Sequence, residues 1–372
     1  MNPLLLARLW LMVFLHYFVW SAWYSTMGTY LTKQLGFAGG QVGLAYGSTA
    51  VGALVSPLIV GVIADRYFAT ERLLAALHLA GAVLLYWVST LANFGGFYPV
   101  LLAYTVTYMA GHGLTNALTL HHSKNPAKEF PIVMAMASVG WIVAGLTVSL
   151  LKLEDNAGMF RLAAGAALVM GLYSLTLPHT PPKAVGKAAS LGKLLGLDAL
   201  KLMRDRSFAI FMLCSFLICV PLSFYFSWMN TFMTEMGVSY AAAKMTLGQV
   251  SDVVFLLLLP VLLPRLGVKG ILMLGIGAWT VRFGLFAAFA QNASAQWMMF
   301  VGILLHGMCY DFIFVMGRMY VDRWASIDIR GAAQGLHTFV TLGLGMFIGT
   351  WLAGIVGQYY SCLLYTSPSP RD

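Results

Sequence analysis

The sequence predicts an all-α protein that crosses a membrane about eleven times. Of its 372 residues, 60% are hydrophobic and only 9% are charged, whereas soluble domains carry about 25% charged residues. The mean hydropathy is +0.80. The apolar residues form long runs, and a helix needs about 20 of them to cross the hydrocarbon core of a bilayer. This composition excludes a cytosolic enzyme, a nucleic-acid-binding domain, a disordered protein and a secreted scaffold.

Charges and clusters of Pro and Gly interrupt the apolar runs and place the ends of the predicted helices. The first run, from Leu9 to about Leu31, is too long for the apolar core of a signal peptide, and no small-residue cleavage site follows it. It is therefore predicted to be a retained helix. The eleven predicted helices cover residues 8–33, 42–64, 73–93, 97–120, 131–151, 158–178, 207–234, 244–263, 270–290, 296–321 and 332–357.

One long polar stretch, from His179 to Arg206, separates the first six helices from the rest. The sequences on its two sides resemble each other at an offset near 200 residues, since TYLTKQLGF (29–37) corresponds to TFMTEMGV (231–238). We therefore expect a six-helix half at residues 1–180, a cytoplasmic linker at 181–206 and a second half at 207–358.

The second half has five predicted helices, one fewer than the first. The last residues, SCLLYTSPSPRD, are polar and too short to cross a membrane. We expect residues 359–372 to be a non-native tail and a twelfth helix to be missing from the sequence.

The basic residues predict the orientation. The chain has 22 Lys and Arg against 13 Asp and Glu. Sixteen of these bases fall in loops on one side of the predicted helices and four on the other. Because cytoplasmic loops carry an excess of Lys and Arg, the N-terminus is predicted to be cytoplasmic.

The cysteines indicate neither a metal site nor a disulfide framework. Cys214, Cys219 and Cys309 lie in apolar runs, and Cys362 lies in the tail. No metal is expected.

Two carboxylates interrupt apolar helices of the second half. Asp252 lies in the eighth helix and Asp311 in the tenth. A carboxylate near the bilayer centre costs about 2.5–3.5 kcal/mol on insertion scales, so each must face the bundle interior, pair with a cation or be protonated. Intramembrane ionisable residues are functional by default, and the hypothesis is proton coupling. The alternative is a static pair with Arg282 or a polar clamp between helices.

Short motifs follow one another in order from about residue 20 to 335. ADR (64–66), after the second helix, resembles the loop signature of the major facilitator superfamily, in which a carboxylate and a base latch helix ends. Asp65 and Arg66 would form that latch here. More specific motifs resemble the bacterial nucleoside:proton symporter family of that superfamily. They are WSAWYSTMGTYL in helix one, FPIVMAMASVGWI in helix five, LPHTPP and LLGLDAL in the linker, GQVSD in helix eight, AWTVRFGLFA in helix nine, and YDF and IRGAAQG around helix ten.

The resemblance implies the major facilitator fold, in which two six-helix halves hold the substrate between them near the middle of the membrane. It also implies that Gln249 and Asp252 occupy the family's Gln and acidic positions in helix eight. Asp311 would be the acidic residue of helix ten, with Tyr310 as its aromatic neighbour. Ser138 and Trp141 fall where the family has a hydroxyl and an aromatic residue.

The sequence departs from the family pattern in two places. Near Met134, where the family has an Arg before the W-G-T run, this chain has no base. In helix seven, where some members have amides, PLSFYFSW leaves Ser223 and Phe226. Ser223 is nevertheless a candidate substrate contact.

Amide and aromatic side chains would recognise a nucleoside. Gln249 precedes Asp252 by three residues and shares a helix face with it, and its amide matches a base edge or ribose hydroxyls. Its alternative role is a hydrogen bond between helices. Trp141 and Tyr310 are candidates to stack on a base, with Trp20 and Trp23 as further ones, although many membrane aromatics face lipid or the interface.

Two polar pairs at a spacing of four residues could also line a cavity. His112 and Asn116 share a face of helix four, and His306 precedes Tyr310 in helix ten. A lone helix histidine is more often satisfied by a neighbour. Two Gly-x-x-x-Gly runs, GLAYG (43–47) and GMFIG (345–349), are expected to be helix-packing faces.

The expected function is nucleoside uptake by proton symport through alternating access, in a bacterial cytoplasmic membrane. The expected partners are the nucleoside, protons and the lipid bilayer, with no nucleic acid and no cofactor; the chain is expected to be a monomer. The alternative is a proton-coupled sugar or polyol symporter of the same fold, for which Gln, Asn and aromatic side chains serve equally well. An intramembrane enzyme is not favoured, since no H-E-x-x-H occurs. Two buried carboxylates favour energised transport over a channel.

Overall fold

The computed structural model describes residues 2–63, 68–181, 197–326 and 329–359, and their regular structure is helical. Eleven helices follow one another in the predicted order. Ala241–Gln291 is continuous but bends at Gly267, which has a φ of 65°; α8 precedes this bend and α9 follows it. The others are α1 (Pro3–Lys33), α2 (Gly39–Ile63), α3 (Thr70–Val88), α4 (Phe94–His122), α5 (Pro126–Leu150), α6 (Gly158–Ser174), α7 (Arg206–Glu235), α10 (Gln296–Leu304 and His306–Trp324) and α11 (Arg330–Tyr359).

Several of these helices are long and apolar enough to cross a membrane. Within the described residues, six helical segments are long and apolar enough to cross a bilayer, and the bent α10 raises the number to seven. The α8–α9 pair counts as one of these segments, and α6 has only 17 residues. The prediction of an all-α membrane protein of about eleven helices is confirmed.

Side-chain caps fix where several helices begin. The Asn2 side chain accepts a hydrogen bond from the backbone N–H of Leu4, and Pro3 occupies the first turn of α1. Asn93 caps α4 through the N–H of Gly96 at 2.8 Å. Asp205 caps α7 through the N–H groups of two residues, at 2.8 and 3.0 Å. Such caps satisfy backbone donors that have no partner in the first turn of a helix.

Four helices are interrupted. α1 breaks between Tyr24 and Met27, and α7 breaks at Ile218. α10 bends by 41° at Leu305 and then contains a π-helical turn, Asp311–Val315. α11 contains another π-helical segment. Because π-helical turns in α-helices are frequent at functional sites, the turn that begins at Asp311 marks this carboxylate as a residue of interest.

The helix contacts follow a twofold pattern between the halves. Among the described residues, the most extensive contacts between the first six helices and the rest are those of α1 with α7, α2 with α11, and α5 with α8. Exchanging the halves moves each helix by six positions, so it converts the α2–α11 pair into the α8–α5 pair. The two helix pairs are therefore equivalent under this twofold relation. This pattern supports the repeat seen in the sequence.

Hydrogen bonds between the halves are confined to one end of the bundle, which we call the closed end. It contains the end of α1, the start of α2, the end of α5, the end of α7, the start of α8 and the end of α11. In the part of the chain that the structure describes, no hydrogen bond joins the halves at the opposite end. The bonds of the closed end join Thr29 Oγ1 to Asn230 Oδ1 (2.6 Å) and Thr231 Oγ1 (3.1 Å), Gly40 N to Gln358 Oε1 (3.2 Å), Ala242 N to Glu154 Oε1 (3.1 Å) and Ala243 N to Ser149 Oγ (2.8 Å).

Glycines let the helix backbones approach closely at the closed end. A Cβ at Gly43 would clash with the carbonyl oxygen of Thr350 and lie 3.0 Å from Cα of Gly354. A Cβ at Gly28 would clash with the carbonyl oxygen of Ser227 on α7. The GLAYG run therefore packs α2 against α11. In GMFIG, Gly349 packs against Ser223 and Cys219.

The predicted latch, Asp65 and Arg66, lies outside the described residues, as do most of the linker and residues 360–372. Glu71, which follows this motif in the first turn of α3, lies within the described residues. Its carboxylate accepts hydrogen bonds from His179 Nδ1 (2.8 Å) and from the N–H of Thr180 (2.9 Å). Glu71 therefore holds the residues that follow α6 against the start of α3.

Candidate functional site: a cavity between the halves

A small cavity lies between the two halves, next to the closed end. It has about 10 Å³ of space for the centre of a water molecule, which is room for about one water. A nucleoside therefore does not fit in this conformation without movement of the walls. Residues of α1, α5, α7 and α8 line it: Ser21, Ser25, Thr26, Trp141, Gly145, Val148, Tyr225, Phe226, Ala242, Met245, Thr246 and Gln249.

Gln249 forms part of the α8 wall, and its side chain is 8% exposed. It lies opposite the α1 and α5 walls, which carry Ser21, Ser25 and Trp141. The structure therefore brings together two of the predicted substrate contacts, Gln249 and Trp141, from different halves. An amide and two hydroxyls give the cavity donors and acceptors from both halves.

An aromatic cluster surrounds Trp141. Its ring centroid lies 5.5 Å from that of Trp20, 6.3 Å from that of Tyr24 and 6.1 Å from that of Phe226. These are separations at which aromatic rings attract one another. Phe226 comes from α7 of the second half, so the cluster spans the interface. By contrast, Trp23 is fully buried against Tyr104 and Phe160 inside the first half.

Asp252 lies one helical turn beyond Gln249 and close to a buried base. Its Oδ2 atom is 3.9 Å from Nε2 of His306, while its Oδ1 atom is buried and has no hydrogen-bond partner among the described residues. Nδ1 of His306 is 2.9 Å from a guanidinium nitrogen of Arg282. His306 therefore lies between the carboxylate of α8 and the guanidinium of α9.

Arg282 is completely buried and has an aromatic environment. Its Cζ atom lies 3.6 Å from the ring centroid of Tyr225 and 5.2 Å from that of Trp279. Cation–π contacts of this kind are stronger when both groups are desolvated. Within the described part of the chain, Arg282 forms no ion pair with Asp252 or Asp311. A direct static pair with Arg282, the alternative considered for these carboxylates, is therefore absent from this conformation.

Asp311 is 4% exposed, and its Oδ2 atom is buried without a hydrogen-bond partner among the described residues. It begins the π-helical turn of α10. Its neighbour Tyr310 is partly buried and stacks on His306, with 6.0 Å between ring centroids. Tyr310 therefore lies beside the His306–Arg282 pair, and neither Tyr310 nor Asp311 lines the small cavity.

Three other candidates lie elsewhere. Ser223 is fully buried and donates to the carbonyl oxygen of Cys219 at 2.7 Å, on the face of α7 that packs against α11. Ser138 is partly buried on α5, outside the cavity lining. Asn116 is partly buried on α4, and its Oδ1 atom has no partner among the described residues.

Several lining residues were not predicted from the sequence. Ser21 and Ser25 are spaced by four on α1, a spacing that places two hydroxyls on one face and could have identified them. Phe226 was noted only as a departure from the family pattern. Thr246 had no distinguishing signal. The contact between His306 and Arg282 joins residues 24 apart, and no motif indicated it.

Comparisons with known proteins agree with this architecture. The sequence model of a family described as nucleoside H+ symporter matches residues 4–364. YegT of Escherichia coli is 39% identical over 94% of this chain and 84% of its own length. The xanthosine permease of Escherichia coli is 31% identical over 95% of this chain and 88% of its own.

A solved structure shows the same arrangement of helices. A crystal structure of a mutant of the nucleoside transporter NupG superimposes with a TM-score of 0.89 and 28% sequence identity, covering 96% of this chain and 92% of that one. Since both the family model and the relatives extend over nearly the whole sequence, the chain belongs to the nucleoside H+ symporter family of the major facilitator superfamily and is a proton-coupled transporter rather than an enzyme.

Proposed function

We propose that this protein takes up nucleosides together with protons, by alternating access through the cavity between its halves. One observation carries the proposal: Gln249 and Trp141, from opposite halves, line one cavity, and the partly buried carboxylate of Asp252 lies one turn from Gln249. A site shared by two halves is exposed to either side when the halves rock about it.

The orientation follows from the basic loops. With the N-terminus in the cytoplasm, the closed end faces the outside of a bacterial cytoplasmic membrane, and the conformation is the one that releases substrate inward. Residues 1–180 and 207–358 act as the two moving bodies, joined by residues 181–206, with residues 359–372 as a tail outside them. A monomer contains the whole pathway, and the proton gradient replaces any cofactor.

Proton coupling belongs to Asp252 and Asp311. A buried carboxylate oxygen without a donor is costly while the group is ionised, and binding a proton removes that charge. Asp252 has a second way to offset its charge, because His306 and Arg282 lie beside it. The approach of the carboxylate to this pair would release its proton, whereas separation would favour proton binding. The movement of α8 against α9 and α10 would thus link proton occupancy to conformation.

The proposal is tested by counterflow in proteoliposomes loaded with unlabelled compound. We expect radiolabelled uridine and adenosine to enter against unlabelled nucleoside, and labelled glucose or a polyol not to enter against unlabelled sugar. Empty liposomes provide the background. Counterflow of sugars without counterflow of nucleosides would contradict the proposal and support sugar symport.

Replacing Gln249 with Ala is expected to weaken nucleoside binding by about 1–3 kcal/mol, because polar groups of the ligand lose their partner inside a desolvated site. Isothermal titration of the purified protein with uridine measures the change. Gln291→Ala is the matched control, since Gln291 is exposed at the end of α9. Unchanged affinity in Gln249→Ala would place the site elsewhere.

Replacing Trp141 with Ala is expected to weaken the binding of purine nucleosides more than the binding of ligands without a planar base. The reason is that a stacked aromatic pair contributes about 0.5–1.5 kcal/mol beyond its buried area. Binding of adenosine and of a sugar is compared by titration, and Trp141→Phe should restore part of the loss. Trp87→Ala is the control, since Trp87 is 53% exposed on α3. Equal losses for both ligands would argue against stacking.

A further inference from the structure

Three histidines form a hydrogen-bonded row inside the first half, outside the residues that line the cavity. His16 on α1 is fully buried, His78 on α3 is 3% exposed, and His112 on α4 is partly buried. Nδ1 of His16 lies 3.1 Å from Nε2 of His78, and Nε2 of His16 lies 3.4 Å from Nδ1 of His112. We call these residues the histidine row.

The end of the row fixes the direction of its hydrogen bonds. Nδ1 of His78 lies 3.0 Å from the carbonyl oxygen of Leu74, which can only accept, so this nitrogen carries a hydrogen. In a neutral ring, Nε2 of His78 is then an acceptor, and Nδ1 of His16 donates to it. By the same step, Nδ1 of His112 donates to Nε2 of His16. Each neutral ring thus carries its hydrogen on Nδ1.

This arrangement leaves one free acceptor, Nε2 of His112. It has no hydrogen-bond partner among the described residues, and the ring lies beside Tyr17 and Trp20. Trp20 belongs to the aromatic cluster around Trp141. The row therefore begins near the interface between the halves and ends deep inside the first half.

The geometry suits a proton and not a metal ion. Metal ligation requires several nitrogen lone pairs to converge on one point, whereas His16 uses its two nitrogens for neighbours on opposite sides. Within the described residues, no group of three His, Cys, Asp or Glu side chains could hold a metal ion. A proton, by contrast, needs only one acceptor and hydrogen bonds along which its charge can be shared.

We propose that the histidine row is a second proton-binding site of this transporter, separate from Asp252 and Asp311, that takes up one proton at Nε2 of His112. The Nδ1 hydrogen of His112 can then pass to Nε2 of His16, and the Nδ1 hydrogen of His16 to Nε2 of His78. Each transfer breaks one N–H bond and forms another, so the single positive charge resides on any of the three rings.

The groups that face the row accommodate one charge. Tyr108 of α4 stacks on His16 with 4.5 Å between centroids, and Tyr17 of α1 lies edge-on at 5.5 Å from both His16 and His112. The face of an aromatic ring attracts a cation, so the stacked ring of Tyr108 favours a charge on His16. A second proton would place like charges on rings only 5.2–5.5 Å apart, which disfavours it.

The remaining neighbours of the row include apolar side chains and a cation. The helices α5 and α6 contribute apolar side chains to the surrounding core, among them Met134 and Met170. The cation that interacts with His112 from the second half is Arg318 of α10. A proton in the row would therefore be repelled by Arg318.

Solid-state NMR of the protein in bilayers, labelled with ¹⁵N-histidine, tests the proposal, because the ¹⁵N shift separates protonated from unprotonated ring nitrogens. Of the 8 histidines, the three of the row are expected to carry hydrogen on Nδ1 at neutral pH, as does His179, whose Nδ1 donates to Glu71. Acidification to about pH 4, well below the ordinary histidine range, should change the signals of His16, His78 and His112 together, with one proton bound. The proposal would be overturned if a ring of the row carried its hydrogen on Nε2 at neutral pH, if the three rings titrated independently, or if their signals did not change on acidification.

Variants separate the row from the coupling carboxylates. In His112→Gln, the signals of His16 and His78 should no longer change with acidification, whereas His121→Gln should leave the row titrating as in the wild type. In Asp311→Asn the row should still bind its proton. A loss of symport in that variant would then leave the histidine signals unchanged, whereas a row that does not bind a proton would be seen in those signals. A row that titrates only when Asp311 is intact would contradict a separate site.

Discussion

Asp311→Asn abolishes the pH-driven accumulation of nucleoside and leaves exchange across the membrane largely intact: this is the result we expect in proteoliposomes. At one proton per nucleoside, a gradient of one pH unit stores about 1.4 kcal/mol and supports about tenfold accumulation. The variant should reach an internal-to-external ratio of about 1. Exchange is retained because it requires binding and reorientation of the loaded protein but no net release of a proton.

The surroundings of Asp311 make Asn a mild replacement there. The side chain is 4% exposed, has one buried oxygen without a partner, and lies in a π-helical turn. Asn keeps its size and removes only the ionisable group. Asp252→Asn is expected to lose accumulation too, but with a larger effect on folding, because the buried pair of Arg282 and His306 loses a nearby negative charge.

Asp155→Asn is the matched control, since Asp155 is exposed in the loop after α5. It should accumulate nucleoside as the wild type does. If both intramembrane variants accumulated nucleoside normally, the coupling role would be wrong. If accumulation and exchange fell equally in both, the carboxylates would be structural.

The fold could be predicted from the sequence because membrane-spanning chains have few options. A lipid environment requires each backbone polar group to be satisfied within its own segment, which favours long apolar helices. All eleven helices were therefore predicted in order. The interruption at Ile218 was not predicted although Pro221 accounts for it, because proline has no N–H to bond the carbonyl of Leu217 and its ring clashes with that carbonyl. The interruption at Leu305 was not predicted because no proline follows it and the packing of neighbouring helices sets the local geometry.

The site could be predicted only in part. Gln249 and Trp141 were found because family motifs pointed to them, and both line the cavity. Ser223 and Phe226 are three residues apart, yet Phe226 lines the cavity while Ser223 packs against α11. A helix that is apolar all round gives no hydrophobic stripe to show which face is inward. The contact of His16 with His78 joins residues 62 apart, a separation that one sequence does not reveal.

The close packing of glycines at the closed end leads to the second large effect. Gly43→Leu is expected to reduce net nucleoside uptake by about 5- to 150-fold, since overpacking a tight contact costs about 1–3 kcal/mol and each 1.4 kcal/mol is a factor of ten. The added side chain would meet the backbone of α11 at Thr350 and Gly354, and backbone cannot rotate away as a side chain can. The conformation closed toward the outside becomes rare, and the transport cycle needs it.

Accessibility distinguishes this effect from misfolding. Ser25→Cys places a thiol in the cavity beside the closed end, and a membrane-impermeant maleimide added outside intact cells should label it faster in the Gly43→Leu background. Uridine binding by titration should be retained. Gly165→Leu is the control, because a Cβ at Gly165 meets nothing within 4 Å on the exposed face of α6. Equal labelling of Ser25→Cys with and without Gly43→Leu, with uptake still lost, would mean that Gly43 does not control closure. If the contact of α2 with α11 closes the outer side, a larger side chain between these helices must open it.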